Sequence, residues 1–226
     1  RNPTDERPKP GPSRRRNTIS ELLAGSKPVQ WLIEKAVDLR PGIAPLGLDL
    51  ALRGIKDHEY VNVSYKVFNI GRANDNRAYS SEIGVPVARA HEAVERIFAL
   101  AQRHAELGAV YHTSPISLRF VKASPALMAM QYGEPTMMIE LIQLVDTHGG
   151  YELLAAYEDE LYELGGRPHW GQFNTLTNDD ERLAKLYPRY ADWRAVRDEL
   201  AGSGVFDAPF TKRVGISATS TAVERP

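Results

Sequence analysis

The feature that most limits what this chain can fold into is a long amphipathic helix hemmed in by alternating segments. Val87, Ala90, Val94, Ile97, Phe98 and Ala101 recur at helical spacing from Val87 to about Glu106, with Pro86 at the start and Gly108 at the end. Period-two alternation precedes it at Tyr60–Ile70, through Val61, Val63, Tyr65 and Val67, and again at Ser80–Val85. Two further strands follow at Ile116–Lys122 and Met137–Leu144. A helix from Tyr151 to about Leu164 then stops at Gly165-Gly166, as helix C-caps commonly do. Short helices at Asp179–Leu186 and Ala191–Leu200 close the chain, with Asp192 near an N-cap and Gly202 past the end. Strands that cluster between helices, rather than alternating with them one by one, predict an α+β fold: a large antiparallel sheet with helices packed on one face.

Ahead of this core, residues 1–17 hold four prolines and six basic residues, a composition that buries no apolar surface. They are read as a disordered or extended basic arm, with residues 18–58 as a helical segment. In that segment Ser20–Leu23 and Pro28–Arg40 are helical, the latter through Val29, Leu32, Ile33, Ala36 and Val37, and Pro41-Gly42 ends it. Residues 43–55 are left unassigned. Residues 59–216 form the main domain, and 217–226 a frayed tail. A chain opening on Arg1 also raises the expectation of a processed or partial protein.

A net charge of -1 gives no general attraction to nucleic acid or membrane surfaces, and no apolar run approaches the roughly 20 residues that span a bilayer. The absence of cysteine removes thiolate nucleophiles and thiolate-ligated metals. It leaves the compartment open, with cytoplasm favoured. There is no Gly-x-Gly-x-x-Gly after a strand and no Walker-type loop, so no phosphate cradle is recognisable. His91 lacks a second histidine four residues on, and His104 and His112 fall on different elements, so no metal site is expected. Ser114, Ser117 and Ser124 lack a nucleophile elbow.

One loop stands out. In Gly165-Gly166-Arg167-Pro168-His169-Trp170-Gly171, the glycines allow a tight turn and close approach, while His169 and Trp170 offer a donor or base and a stacking surface. Taken alone, these residues favour a structural turn around a buried Trp, because such loops often simply pack. This run is very similar to a motif of the sugar-lactone and alditol oxidases in the vanillyl-alcohol oxidase superfamily. Four further stretches resemble that family in the same order: Ser81-Glu82-Ile83-x-Val85-Pro86, then Ser117-Leu118-Arg119-Phe120-Val121, then Tyr132-Gly133 with Met137–Leu141, then Leu186–Tyr190 with Val196-Arg197 and Gly204–Phe206. The resemblance covers roughly residues 60–216.

The resemblance implies FAD, held mainly by an N-terminal domain or separate chain beyond these residues, with a small-molecule alcohol handing hydride to the flavin and dioxygen reoxidising it. It implies a catalytic set of Arg119, His169 and Gln172, substrate contacts from Ser117, Glu140 and Trp170, and flavin contacts from His169 and Gly171. For Arg119 the plainer reading is a surface ion pair, for His169 a hydrogen-bonded structural histidine, and for Glu140 a solvent-facing position. Two departures stand inside the set. Relatives carry Glu where Ser117 stands and usually Lys where Gln172 stands, which questions a sugar-like polyol as substrate. A dehydrogenase, a scaffold that keeps the fold, or an oxidase of sterols or other apolar alcohols, hinted at by Met128, Met130, Met137 and Met138, remain alternatives.

Overall fold

A computed structural model describes residues 4–8, 27–54, 61–63, 77–178, 181–201 and 203–218. The helix expected at Ser20–Leu23, most of the basic arm, most of the Tyr60–Ile70 strand and the tail beyond 218 lie outside them. Residues 61–63 have no regular structure.

Two compact units divide the chain. The first comprises Arg1–Tyr79, Ala101–Pro115 and Ile142–Leu153, the second Ser80–Leu100, Ile116–Leu141 and Leu154–Pro226. The first unit contains α1 (Lys27–Leu39) and α2 (Ala44–Gly54), joined by a 3-10 turn at Pro41–Ile43. Thus Pro41 does end α1, and the stretch left unassigned is a second helix. Along α1, Val37 is buried whereas Leu32 and Ile33 are exposed, so only part of the expected apolar stripe is covered.

The sheet consists of β1 (Ala78–Pro86), β2 (Ser117–Val121), β3 (Thr136–Leu144) and β4 (Arg167–Pro168), in the order β2-β3-β1-β4. The fold class is therefore α+β, as the order of elements predicts. β2 pairs antiparallel with β3, placing Ser117 opposite Glu140 and Arg119 opposite Met138. β4 pairs antiparallel with β1, placing Ile83 opposite Pro168 and Gly84 opposite Arg167. Between β1 and β3, the Val87 N–H donates to Pro135 O at 3.0 Å at one end, and the Val145 N–H to Arg77 O at 3.0 Å at the other. The two strands therefore run in opposite directions, with Glu82 opposite Glu140.

Because side chains alternate across a strand, this register separates two faces. Ile83, Val85, Met137, Ile139 and Leu141 share one face and are all buried. It is the face toward the helices α3 (Ala90–Gly108) and α4 (Gly150–Tyr162). Along α3 the buried residues are Ala93, Ile97 and Leu100, while Phe98 and Val87 are exposed. The stripe read from periodicity is thus rotated by about one position: a period fixes the repeat of a face but not its centre. Pro86 closes β1 instead of opening the helix, and a 3-10 turn at Val87–Arg89 leads into α3.

The Gly165-Gly166 stop works as expected. Gly165 takes φ +78 and its N–H reaches Tyr162 O at 2.9 Å, while the Gly166 N–H reaches Leu161 O at 2.9 Å, the paired bonds of a Schellman cap. A side chain at Gly166 would meet Leu161 O at 2.5 Å, so the glycine also lets the chain drop directly onto β1. Three short helices follow: α5 (Arg182–Leu186), α6 (Tyr190–Ala201) and α7 (Pro209–Arg213), the last without a counterpart in the sequence reading. Leu176, Leu183, Leu186, Tyr187 and Val214 form a second apolar cluster there, joined by Trp170, Phe210 and Met128.

Candidate functional site

On the sheet face away from the helices, the pairing builds a row of polar positions. Ser117 on β2, Glu140 on β3 and Glu82 on β1 lie side by side. His169 extends the row past β4, its N–H donating to Glu82 O at 2.8 Å. At the usual strand separation the row is about 14 Å across. The next row along the same face is Arg119, Met138, Gly84 and Arg167.

Arg119 ties the first row together. Its Nη2 donates to Glu82 Oε1 at 2.5 Å and lies 3.7 Å from Glu140 Oε2, so the guanidinium spans β3 to reach β1. Glu82 is 9% exposed, Glu140 26% and Arg119 54%, so the face grades from covered at β1 to open at β2. Two carboxylates against one guanidinium leave this row with an excess negative charge. The ion pair weighed as the plainer role of Arg119 is present, and it lies among the other expected site residues.

The run from His169 to Phe173 is a bulge in the ladder. The His169 N–H bonds to Glu82 O and the Phe173 N–H to Ser80 O at 2.8 Å, so three residues of the run stand against the single Ser81 of β1. A turn closed by the Gln172 N–H to His169 O at 3.1 Å takes up the extra length. The Gly171 N–H donates to His169 Nδ1 at 3.2 Å, which assigns the ring proton to Nε2. A side chain at Gly171 would lie 3.3 Å from His169 Cε1, so the glycine leaves room for the imidazole. The Gln172 side chain accepts from Ser80 Oγ at 3.2 Å through Oε1.

Trp170 turns the other way. Its Nε1–H donates to Met128 O at 3.0 Å, one face stacks on Tyr187 at 5.6 Å, and Phe210 approaches edge-on at 6.3 Å. The ring therefore anchors the turn in the second cluster, the structural alternative considered for it, and one face is not open for stacking on a ligand. Beside it, Arg167 is buried, with its Nη2 4.0 Å from Glu134 Oε1. Its Nε donates to Leu186 O at 2.7 Å and its Nη1 to Tyr132 O and Met130 O at 2.9 and 3.2 Å.

Sequence pattern alone does not mark Glu82 or Arg167 as site residues, although both lie within the stretches Ser81–Pro86 and Gly165–Gly171 that resemble the family. The signal for Glu82 was its place between Ser81 and Ile83 in an alternating strand, which puts it on the face away from Ile83 and Val85. The four methionines do not form one patch. Met137 faces the helices, Met138 the polar side, Met130 lies against Gly84, and Met128 belongs to the second cluster. Among the described residues no group of three His, Asp or Glu could hold a metal ion, and no helix is long and apolar enough to cross a membrane.

An antiparallel sheet with a polar row on one face and helices on the other is common to many binding domains. Comparison with known proteins narrows it: the D-arabinono-1,4-lactone oxidase family model matches residues 1–214, and the chain belongs to that family. The match begins at residue 1, well ahead of the 60–216 stretch that carries the motifs. An L-gulono-1,4-lactone dehydrogenase from Mycobacterium tuberculosis is 28% identical over 214 residues, covering 93% of this chain and 46% of that protein. An L-gulonolactone oxidase from Scyliorhinus torazame is 27% identical over 154 residues, 66% of this chain and 33% of its own length. An alditol oxidase from a Streptomyces species is 30% identical over 95 residues, 42% of this chain and 22% of its own length. The chain spans less than half the length of these relatives.

Proposed function

We propose that this chain is the substrate-side part of an FAD-dependent oxidoreductase that oxidises a CH–OH group of a small hydroxylated molecule, with the flavin nucleotide held by a domain or chain outside these residues. The observation that carries the reading is the row Ser117, Glu140, Glu82 and His169 with Arg119 across it, a cluster of charge and hydrogen-bonding groups on the sheet face opposite the buried Ile83, Val85 and Ile139. Family membership supports it.

The donor set suits a flavin ring. Arg119, the Nε2–H of His169 and the amide of Gln172 are hydrogen-bond donors of the kind that match electron-rich ring nitrogens and carbonyl oxygens. Nothing in the chain resembles a pyrophosphate cradle, so the nucleotide part would be bound elsewhere. Arg119, His169 and Gly171 are the residues that would hold the ring side. When bound, the flavin supplies the two-electron acceptor for hydride leaving the substrate carbon.

The chain's own groups then orient the alcohol. The Arg119 cation, already fixed by Glu82, stabilises negative charge developing on the substrate oxygen without reorganising. Glu140 and Ser117, opposite each other, bind hydroxyl groups, and the Gln172 amide completes the contact from the far end of the row. Dioxygen would be the final electron acceptor, by analogy with the oxidases among the relatives.

The test is to express the chain with a flavin-binding partner half and measure bound flavin, then anaerobic bleaching of its absorbance by alditols and by L-gulono-1,4-lactone. We expect both, followed by recovery of the absorbance on admitting air. No bound flavin and no bleaching overturn the proposal. Bleaching without recovery in air makes the enzyme a dehydrogenase.

A further inference from the structure

We propose that Glu140 is the proton acceptor for the substrate hydroxyl, and that the cross-strand pair Ser117 and Glu140 is the element that sets where this base stands. The inference rests on the functional reading above and assigns a role which that reading leaves open.

The assignment follows from what each polar group on the face is already doing. Glu82 is nearly buried and its Oε1 is held by Arg119 at 2.5 Å, so its charge is committed to fixing the guanidinium. His169 has its Nδ1 lone pair occupied by the Gly171 N–H, and its other ring nitrogen carries the proton. Gln172 and Ser117 have no basic site. Arg119 is a cation. Glu140 is the remaining base of the row: it is partly open, and Arg119 stands 3.7 Å from its Oε2, close enough to hold its orientation but longer than a hydrogen bond.

Ser117 completes the arrangement. It lies directly across the ladder from Glu140, where paired side chains start about 5 Å apart. Being short, it leaves space beside the carboxylate for a substrate hydroxyl. A carboxylate on either member of the pair would reach the same spot from one strand or the other.

The proton count is simple. The substrate O–H bond breaks and its proton passes to a Glu140 carboxylate oxygen. The electron pair left on oxygen forms the C=O bond while hydride leaves the carbon for the flavin named above. Arg119 compensates the charge on the oxygen during the transfer. Among the described residues, the groups facing Glu140 that titrate or carry charge are Arg119 from β2, Glu82 from β1 and His169 beyond β4.

The experiment uses the flavin-loaded protein and three variants: Glu140→Gln, the exchange Ser117→Glu/Glu140→Ser, and Glu82→Gln. Anaerobic flavin reduction by alditols and by L-gulono-1,4-lactone is followed against pH, and the affinity for each is measured separately by calorimetry. For Glu140→Gln we expect reduction slowed roughly 10²- to 10⁴-fold, alditol affinity lowered far less than the rate because the amide oxygen still accepts from a hydroxyl, and the acid limb of the pH profile gone. The exchange variant should regain the acid limb and a rate within about tenfold of wild type, since the carboxylate is present again. Glu82→Gln should lower the rate but keep the acid limb.

Glu140→Gln reducing flavin at the wild-type rate, or with the acid limb intact, overturns the assignment. An acid limb lost only in Glu82→Gln does the same. Wild-type protein that binds flavin but neither binds nor oxidises any alditol or lactone overturns the functional reading and this inference together, an outcome distinct from the other two.

Discussion

Arg167 offers the sharpest test of how the candidate site is held. The residue is 9% exposed, and its guanidinium donates to three backbone carbonyls, Leu186 O at 2.7 Å, Tyr132 O at 2.9 Å and Met130 O at 3.2 Å, while lying 5.6 Å from the centre of the Tyr187 ring. These carbonyls belong to the end of α5 and to the segment between β2 and β3, so one side chain joins two stretches to the strand that leads into His169. Replacing it by Met keeps the apolar stem but leaves three acceptors without their donor. Charged hydrogen bonds contribute about 1.5–3 kcal/mol each, non-additively, and deleting one buried partner costs about 3–5 kcal/mol, so Arg167→Met should destabilise by about 3–5 kcal/mol. At about 2–4 °C per kcal/mol for a chain of this size, Tm falls by roughly 6–20 °C. Arg167→Lys keeps the charge but not the fork and should recover only part of this, about 1–2 kcal/mol. Urea melts of the wild type and both variants decide it. An Arg167→Met protein within about 1 kcal/mol of wild type, or Lys equal to Arg, would refute the claim that the forked geometry joins these segments.

Three other outcomes are expected. His112 is held down from 6.5 to about 4 by burial. It is neutral in both folded and unfolded chains above pH 6.5, and its contribution is lost as pH falls from there through about 4. The loss is on the order of 3 kcal/mol, and His112→Gln should flatten that part of a stability-against-pH curve. Gly84→Ala would bring a methyl to 2.8 Å from Thr136 Cγ2 and 2.9 Å from Met138 Sδ, and thermal melts should register overpacking of about 1–3 kcal/mol; an unchanged Tm would mean that this part of the sheet gives way freely. Trp170→Phe removes the donor to Met128 O while leaving an aromatic ring against Tyr187 and Phe210. Urea melts should show a loss of about 1 kcal/mol, whereas a Trp that binds substrate would instead show up mainly in KM.

The strand and helix positions were legible in the sequence because burial of one face imprints a period, and the elements around Ser80–Val85, Ile116–Lys122 and Tyr151–Leu164 were found within a few residues. Gly165-Gly166 announced its cap, and the ordered motifs pointed to the family that the chain does belong to. The two-residue strand Arg167–Pro168 was not legible, since two residues carry no period. Nor was the true centre of the α3 stripe, because Ala93 adds little to a hydrophobic pattern yet is fully buried.

Which residues meet depends on the packing of the folded sheet. The chain itself supplied Ser117, Arg119, Glu140, His169 and Gln172 as polar groups on strands and a turn. It held no information that Ser117 would fall opposite Glu140, or that Arg119 would reach across β3 to Glu82. Register is set by how whole strands bury their opposite faces, a property of the sheet and of no single segment. The same pairing put Trp170 into a second apolar cluster and left Glu140 as the partly open carboxylate beside Arg119. Local pattern determined the elements; pairing between segments distant in sequence determined the site, because side chains that share a row are neighbours only once the sheet exists.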